Sequence, residues 1–399
     1  MVKLPVLLSA PHRLLFLVGA FQFASVLVWW TCALLDLNGH GPDLPQPMPA
    51  SLLHAPLILF LVFPPLFFGF LLTVFPRWIG YPDARPTVYA PVALSFLLAT
   101  GLIWSGLLKN QPSAIIAAFA MAIVGWIWAM AYMGRLLIDE MRQFETTTWH
   151  AWSIFVAFVF GLMCLAGTVH GMRSTDWLLL HISNLVALDL FVLPVFVTVC
   201  HRMIPFFAGN VVVGYELWRP YWVLAVYWAA SLAGVLAYGF AAPDLAAGSK
   251  IILTCLTALM LWKWWPRGQA PGLLWVLMLG FAWAPLGFAL GAWLDLFAPL
   301  GSRAAIHLLT IGFAGSLVIA MVTRVTQGHS GRPLTMPVVS WLAFALLQIA
   351  SVVRLIAAYR YENLELLVIS AACLTAALLP WAIRSMVIYS QSRADGKPG

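Results

Sequence analysis

The chain of 399 residues contains 21 Lys and Arg and 14 Asp and Glu, so charged residues make up 9% of it, whereas a soluble domain carries roughly 25%. Hydrophobic residues account for 63%, and the mean hydropathy is +0.94. This composition excludes an ordinary water-soluble globule, because polar side chains are too few to cover its surface. It indicates an integral membrane protein built from helices.

Segments that can cross a bilayer core of roughly 30 Å need about 20 predominantly apolar residues. Charged residues, Pro or Gly bound twelve such runs: 13–36, 52–75, 87–108, 113–134, 149–171, 177–200, 219–241, 249–266, 272–295, 303–326, 336–358 and 363–389. The first run is too long for a signal-peptide core, so it counts as a retained helix. Since the loops are short, we predict one all-α domain over 1–399, a bundle of twelve transmembrane helices.

The basic residues predict how these helices are oriented. An even number of spans places both termini on one side, and that side collects fifteen of the 21 Lys and Arg, against six on the other. The positive-inside rule therefore predicts that both termini are cytoplasmic. The basic residues are spread over many loops rather than gathered in a patch, so we expect membrane lipids as partners and no nucleic acid.

Histidines are the most informative polar residues, because an imidazole within a membrane span indicates function. His54, His181 and His307 lie near the starts of helices 2, 6 and 10, and His170 lies near the end of helix 5. All four fall at similar depth in the periplasmic half, as a haem or copper centre requires. We predict His54 and His307 as axial ligands of a haem b, with His170 and His181 near a second metal or the open side of a haem. The alternative for each is an interfacial histidine held by hydrogen bonds.

Asp189 lies near the middle of helix 6, where a carboxylate exposed to lipid is costly. We predict that it faces the bundle as a proton relay. The alternative is a protonated Asp bonded to a neighbouring helix.

A second polar layer is predicted at the cytoplasmic level. This layer could hold haem propionates, a quinone head group or anionic lipid. It comprises His201, Arg202, Arg324, His329 and Arg332.

Helices 2, 6 and 10 share a pattern in which a His near the start is followed by a Thr and an Arg near the end. The pairs are Thr73 with Arg77, Thr198 with Arg202, and Thr323 with Arg324. A period of four helices predicts a pseudo-threefold arrangement, three arcs of four helices.

Three segments resemble motifs of the NnrS family. Arg202-Met-Ile-Pro-Phe-Phe207 is similar to its R-[VI]-I-P-F-F-T signature. His307-Leu-Leu-Thr-Ile-Gly312 and Gly328-His329-Ser-Gly-Arg-Pro-Leu334 are similar to its H-x-L-T-x-G and G-H-T-G-R-P-L motifs. Gly69-Phe-Leu-Leu-Thr73 matches its G-F-L-L-T stretch. The family's W-H-A-H-E reads Leu53-His54-Ala55-Pro56-Leu57 here, so one of its two histidines is present.

This resemblance implies a twelve-helix protein of the bacterial inner membrane that binds haem, and copper or another second metal, and takes part in nitric oxide metabolism. The layout is also similar to the haem–copper oxidase superfamily, in which helices 2 and 10 supply haem ligands; His54 and His307 occupy those places. That likeness concerns architecture alone.

The function expected from these observations is haem-dependent reduction or other detoxification of nitric oxide (NO), with electrons from a quinol or a cytochrome. Two alternatives are a non-catalytic protein that senses NO or scaffolds a haem enzyme, and a proton-coupled transporter without haem. A transporter would favour an inverted repeat around a midplane site, whereas the repeat here is parallel.

Overall fold

A computed structural model of the chain describes residues 6–143, 147–298, 303–360 and 362–396. Within these ranges the chain forms helices and no strand. Twelve helices among the described residues are long and apolar enough to cross a membrane, which confirms the predicted all-α membrane fold. They are α1 (Pro11–Leu37), α2 (Ala50–Trp78), α3 (Pro86–Leu108), α4 (Pro112–Gln143), α5 (Trp149–Ser174), α6 (Trp177–Val211), α7 (Trp222–Gly239), α8 (Pro243–Trp264), α9 (Gly272–Phe297), α10 (Ala304–His329), α11 (Val338–Tyr359) and α12 (Leu364–Ser390).

Several helices continue beyond the apolar runs. The end of α4 extends past the run to Gln143, and Arg135 and Asp139 on this extension form an i,i+4 ion pair of 3.8 Å, a spacing that supports an exposed helix. The start of α8 is earlier than predicted, at Pro243, because proline is well suited to the first turn of a helix. Hydrophobicity marks the part of a helix that meets lipid rather than the helix ends.

The described contacts divide the chain into two compact units, and α6 contributes to both. Unit 1 consists of 1–192, 329–332 and 382–399, and unit 2 of 193–328 and 333–381. In unit 1, α1 packs on α2, α3 on α4, and α5 on both α4 and the first part of α6. In unit 2, α8 packs on α7 and α9, and both α9 and α11 pack on α10. The single domain over 1–399 stays a prediction, and the termini, at 1–5 and 397–399, lie outside the described residues.

Helices α2, α6 and α10 share a feature that the sequence did not predict, a π-helical segment within the span. These segments are Leu57–Val62, Leu188–Val192 and Leu308–Gly315. The same helices are 83%, 72% and 72% buried over their most apolar stretches, more than the other spans. π-Helical turns are rare and often lie at functional sites. The period of four helices therefore has a structural counterpart, while the three-arc arrangement stays a prediction.

Unit 1 is packed around four aromatic rings from four helices. Trp126 of α4 lies 5.7 Å from Phe68, 5.5 Å from Phe158 and 4.9 Å from Phe191, between ring centroids. Its indole N–H donates to the backbone oxygen of Phe158 at 3.1 Å. Gly161 makes this packing possible, since a Cβ there would lie 2.6 Å from Trp126 and 2.7 Å from Phe191. Phe191 belongs to the π-helical segment of α6, so this core supports that segment.

Unit 2 has a comparable aromatic core. Phe313, within the π-helical segment of α10, lies 5.6 Å from Phe281 and 5.9 Å from Phe196. Phe281 in turn lies 5.0 Å from the buried Trp264, whose indole N–H donates to the backbone oxygen of Trp218 at 2.9 Å. In both units a phenylalanine of a π-helical segment is held by buried aromatic rings.

Replacing Trp126 with alanine is expected to lower the free energy of unfolding by about 3–5 kcal/mol, the usual cost of emptying a buried Trp site. Trp126 is 0% exposed, whereas Trp128 on the same helix is 51% exposed. Trp128→Ala is therefore the matched control and should change stability little. The measurement is reversible unfolding of the purified protein in mixed micelles. Equal losses in the two variants would contradict the proposed core.

Candidate functional site

His54 lies in α2, three residues before its π-helical segment begins at Leu57. The side chain is half-buried. Its ring stacks on Trp30 of α1, with centroids 4.1 Å apart and planes 20° from parallel. A flat, close stack of this kind restricts rotation of the imidazole about its side-chain bonds. The orientation of His54 is therefore set by a neighbouring helix.

His307 of α10 comes directly before the π-helical segment Leu308–Gly315 and is also half-buried. Its Nδ1 lies 2.9 Å from the backbone oxygen of Arg303. Because a carbonyl oxygen can only accept, Nδ1 carries the proton, and the Nε2 atom of a neutral ring then carries the lone pair. Metal-ligating histidines have this arrangement in most proteins.

An ion pair with one buried partner supports the turn that holds His307. The backbone N–H of Arg303 donates to Oε1 of Glu362 at 3.4 Å. The other oxygen, Oε2, lies 2.8 Å from Nη2 of Arg354, a side chain that is only 8% exposed. Glu362 thus connects Arg354 to the backbone of Arg303, which orients the His307 ring.

The two histidines predicted near a second metal, His170 and His181, lie on α5 and the first part of α6 and are exposed. Among the described residues, no group of three or more His, Cys, Asp and Glu side chains is arranged to hold a metal ion. A second metal at these two positions stays a prediction from the sequence.

Asp189 lies within the π-helical segment of α6, Leu188–Val192, and is half-buried. The residues on either side of it, Leu188 and Leu190, are buried. A carboxyl group at this position is therefore surrounded along the chain by apolar side chains and lies on a widened helical turn. The proton-relay role of Asp189 stays a prediction from the sequence.

The predicted cytoplasmic polar layer is divided between the two units. In unit 2, His201 is buried, with its ring 6.1 Å from Trp264. The guanidinium of Arg324 lies 3.7 Å from the ring centroid of Phe207, a cation–π contact. Arg202 of the same unit is half-buried. The remaining two members, His329 and Arg332, belong to unit 1.

Sequence reasoning missed the partner of His329, which is His12 in the first turn of α1. The two rings lie 4.3 Å apart between centroids, at 49° to each other. His12 is 2% exposed, and its Nδ1 lies 3.5 Å from Oγ1 of Thr73. The signal in the sequence was a His followed by Arg13 at the same predicted depth as His329. Because 317 residues separate the two histidines, only the fold could show that they are in contact.

The comparison with protein families agrees with the motifs noted in the sequence. The model of the NnrS protein family matches residues 6–393, nearly the whole chain. A search of curated proteins gives no match. Membership of this family indicates a role in the response to nitric oxide. The chain therefore belongs to the NnrS family.

Proposed function

We propose that this protein binds haem b in the membrane, that the imidazoles of His54 and His307 would hold it, and that the protein removes NO by reducing it. The observation that carries the proposal is the shared environment of the two residues. Each is a half-buried histidine placed within three residues of a π-helical segment. In addition, each ring is oriented by a specific contact, Trp30 for His54 and the Arg303 carbonyl for His307.

These residues fit a haem by their chemistry. Haem iron is ligated by neutral imidazoles, and the hydrogen bond at Nδ1 of His307 selects the tautomer with its lone pair on Nε2. The support from Glu362 and Arg354 is of the outer-shell kind that fixes the orientation of a metal ligand. Copper at a second site rests on the family resemblance alone.

NO is small and apolar, so it can reach a site within the membrane from the lipid. Reduction joins two NO molecules with two electrons and two protons to give N2O and water. A bound haem would supply an iron centre that accepts and passes on electrons, and we propose a quinol or a cytochrome as the electron donor. The protein must deliver the protons, and Asp189 is the candidate side chain for that step because it lies within the span.

The location that we propose is the bacterial inner membrane, with both termini in the cytoplasm. The distribution of Lys and Arg supports this orientation. It places the starts of α2 and α10, and hence His54 and His307, in the periplasmic half of the membrane.

The function is tested by following NO consumption with an electrode, using purified protein in proteoliposomes and a reduced quinol analogue. We expect NO loss that depends on the donor and yields N2O. Haem binding without turnover would favour the sensor or scaffold, and a protein without haem would favour the transporter.

The support of His307 can be tested by altering Glu362. Glu362→Ala removes both the partner of Arg354 and the acceptor for the Arg303 N–H, so we expect haem affinity to fall by roughly tenfold, as is common for outer-shell changes. Glu362→Gln keeps an acceptor oxygen, so its haem affinity should fall less than that of Glu362→Ala. Affinity is measured by haem titration of the apoprotein.

The matched control for this pair of variants is Glu365→Ala, since Glu365 is an exposed carboxylate three residues further along. It should leave haem affinity unchanged. A normal affinity in Glu362→Ala would show that the network does not position His307.

A further inference from the structure

Five arginines of unit 1 lie near the pair formed by His12 and His329 or near one another. We call this group the arginine cluster: Arg13, Arg77, Arg332, Arg384 and Arg393. The charges of Arg13, Arg77 and Arg393 act on the His329 ring. Arg332 interacts electrostatically with Arg13 and with Arg384. The members of the cluster lie at the start of α1, at the end of α2, in the loop after α10, in α12 and in the segment that follows α12.

Two aspartates in the cluster are each engaged by one arginine. Arg77 donates to both oxygens of Asp83 at 2.6 and 2.8 Å, and Arg393 donates to both oxygens of Asp395 at 2.9 and 2.6 Å. The hydrogen bond from Arg77 holds the pKa of Asp83 below its ordinary value, so this carboxylate is charged at neutral pH. Five positive and two negative charges leave a net charge of +3 when both histidines are neutral.

Residues at the end of α12 and directly after it hold part of the cluster in place. Arg13 is 3% exposed and donates to the backbone oxygens of Tyr389 and Gln391 at 3.3 and 2.7 Å. Arg393 donates to the backbone oxygen of His329 at 3.2 Å. Backbone contacts therefore hold Arg13 and Arg393 in the cluster, although the charges of the arginines repel one another.

One donor of the cluster lacks an acceptor. Nη2 of Arg332 donates to Oε1 of Gln391 at 3.1 Å. The other terminal nitrogen, Nη1, is buried and has no hydrogen-bond partner among the described residues. A buried guanidinium nitrogen without an acceptor is unfavourable, so this atom indicates that an acceptor is missing from the site.

We infer that the arginine cluster binds a tetrahedral oxyanion, a phosphate group, which accepts from Arg332 Nη1. A metal cation would add to the positive charge, whereas an anion offsets it. Guanidinium groups match the geometry of phosphate oxygens and bind them by paired hydrogen bonds. The phosphate comes either from the solution as free phosphate or from the head group of a phospholipid.

The test uses the full-length protein in detergent. Free phosphate is measured by equilibrium dialysis with radiolabelled phosphate, and retained phospholipid by mass spectrometry after exchange into a lipid-free detergent. Arg332→Gln should weaken binding in one of these assays by roughly tenfold or more, because it removes a charged hydrogen bond. Arg332→Lys keeps the positive charge but loses the planar guanidinium group. Its phosphate binding should lie between that of the wild type and that of Arg332→Gln.

The matched control is Arg135→Gln, since Arg135 also belongs to unit 1 but its side chain is 81% exposed and lies outside the cluster. It should bind as the wild type does. If Arg332→Gln binds less radiolabelled phosphate in dialysis, the ligand is free phosphate. If Arg332→Gln retains less phospholipid, the ligand is the head group of a phospholipid. Absence of both ligands from the wild type, or equal losses in Arg332→Gln and Arg135→Gln, would overturn the inference.

Discussion

Replacing either His54 or His307 with alanine is expected to deplete the purified protein of haem. Changes to outer-shell partners alone usually lower metal affinity by roughly 10–100-fold, so loss of a ligand should cost at least as much. The haem that remains should be five-coordinate and high-spin, because one axial position has lost its imidazole. Haem content and the visible absorption spectrum measure both effects.

The control for these variants is His40→Ala. His40 is exposed, and its Nδ1 lies 2.8 Å from the backbone oxygen of Asn38, a contact similar to the one that His307 makes. It should keep the wild-type haem content. Added imidazole should restore the six-coordinate spectrum to His307→Gly, because the ligand is replaced without the side chain. Unchanged spectra in both alanine variants would refute the assignment.

Asp189→Asn is expected to slow NO reduction by roughly a hundredfold, the lower range of what a positioned proton donor contributes. The amide keeps the size of the side chain but cannot release a proton at neutral pH. Haem content and the absorption spectrum should be those of the wild type, because Asp189 is not a proposed ligand. NO consumption in proteoliposomes, recorded over a range of pH, measures the effect.

Asp244→Asn is the matched control for the proton step, since Asp244 is an exposed carboxylate in the first turn of α8. Its turnover should equal that of the wild type. If Asp189→Asn also retains full activity at each pH, the relay role is wrong, and the carboxyl group serves only the packing of α6.

The transmembrane fold could be predicted from the sequence because lipid imposes a simple requirement on every span, a helix of sufficient apolar length. The helix ends were less predictable. The extension of α4 to Gln143 is stabilised by exposed polar contacts, which hydropathy does not register.

The environment of the candidate ligands depends on contacts that a single sequence does not display. The residues of α2, α6 and α10 gave a repeated His, Thr and Arg pattern, but nothing in their composition indicated a π-helical segment in each. The stack of His54 on Trp30 and the link from His307 to Glu362 are further examples.

The predicted cytoplasmic polar layer shows a different limit of prediction from sequence. Depth along a helix predicts that His329 and Arg332 lie at the cytoplasmic end of helix 10, but depth carries no information about which residues of other helices are their neighbours. The structure groups these two residues with His12 and Arg13 of α1 in unit 1, and His201 and Arg324 belong to unit 2. Residues distant in sequence thus form the arginine cluster, which only the fold brings together.

The most direct measurement of the proposed function is the absorption spectrum of the wild-type protein, purified from haem-supplied cells, with a pyridine haemochrome assay on the same sample. We expect a Soret band and haem b in an amount comparable to that of the protein. A preparation without a Soret band and without extractable haem would contradict the assignment of His54 and His307, and with it the haem-dependent reduction of NO.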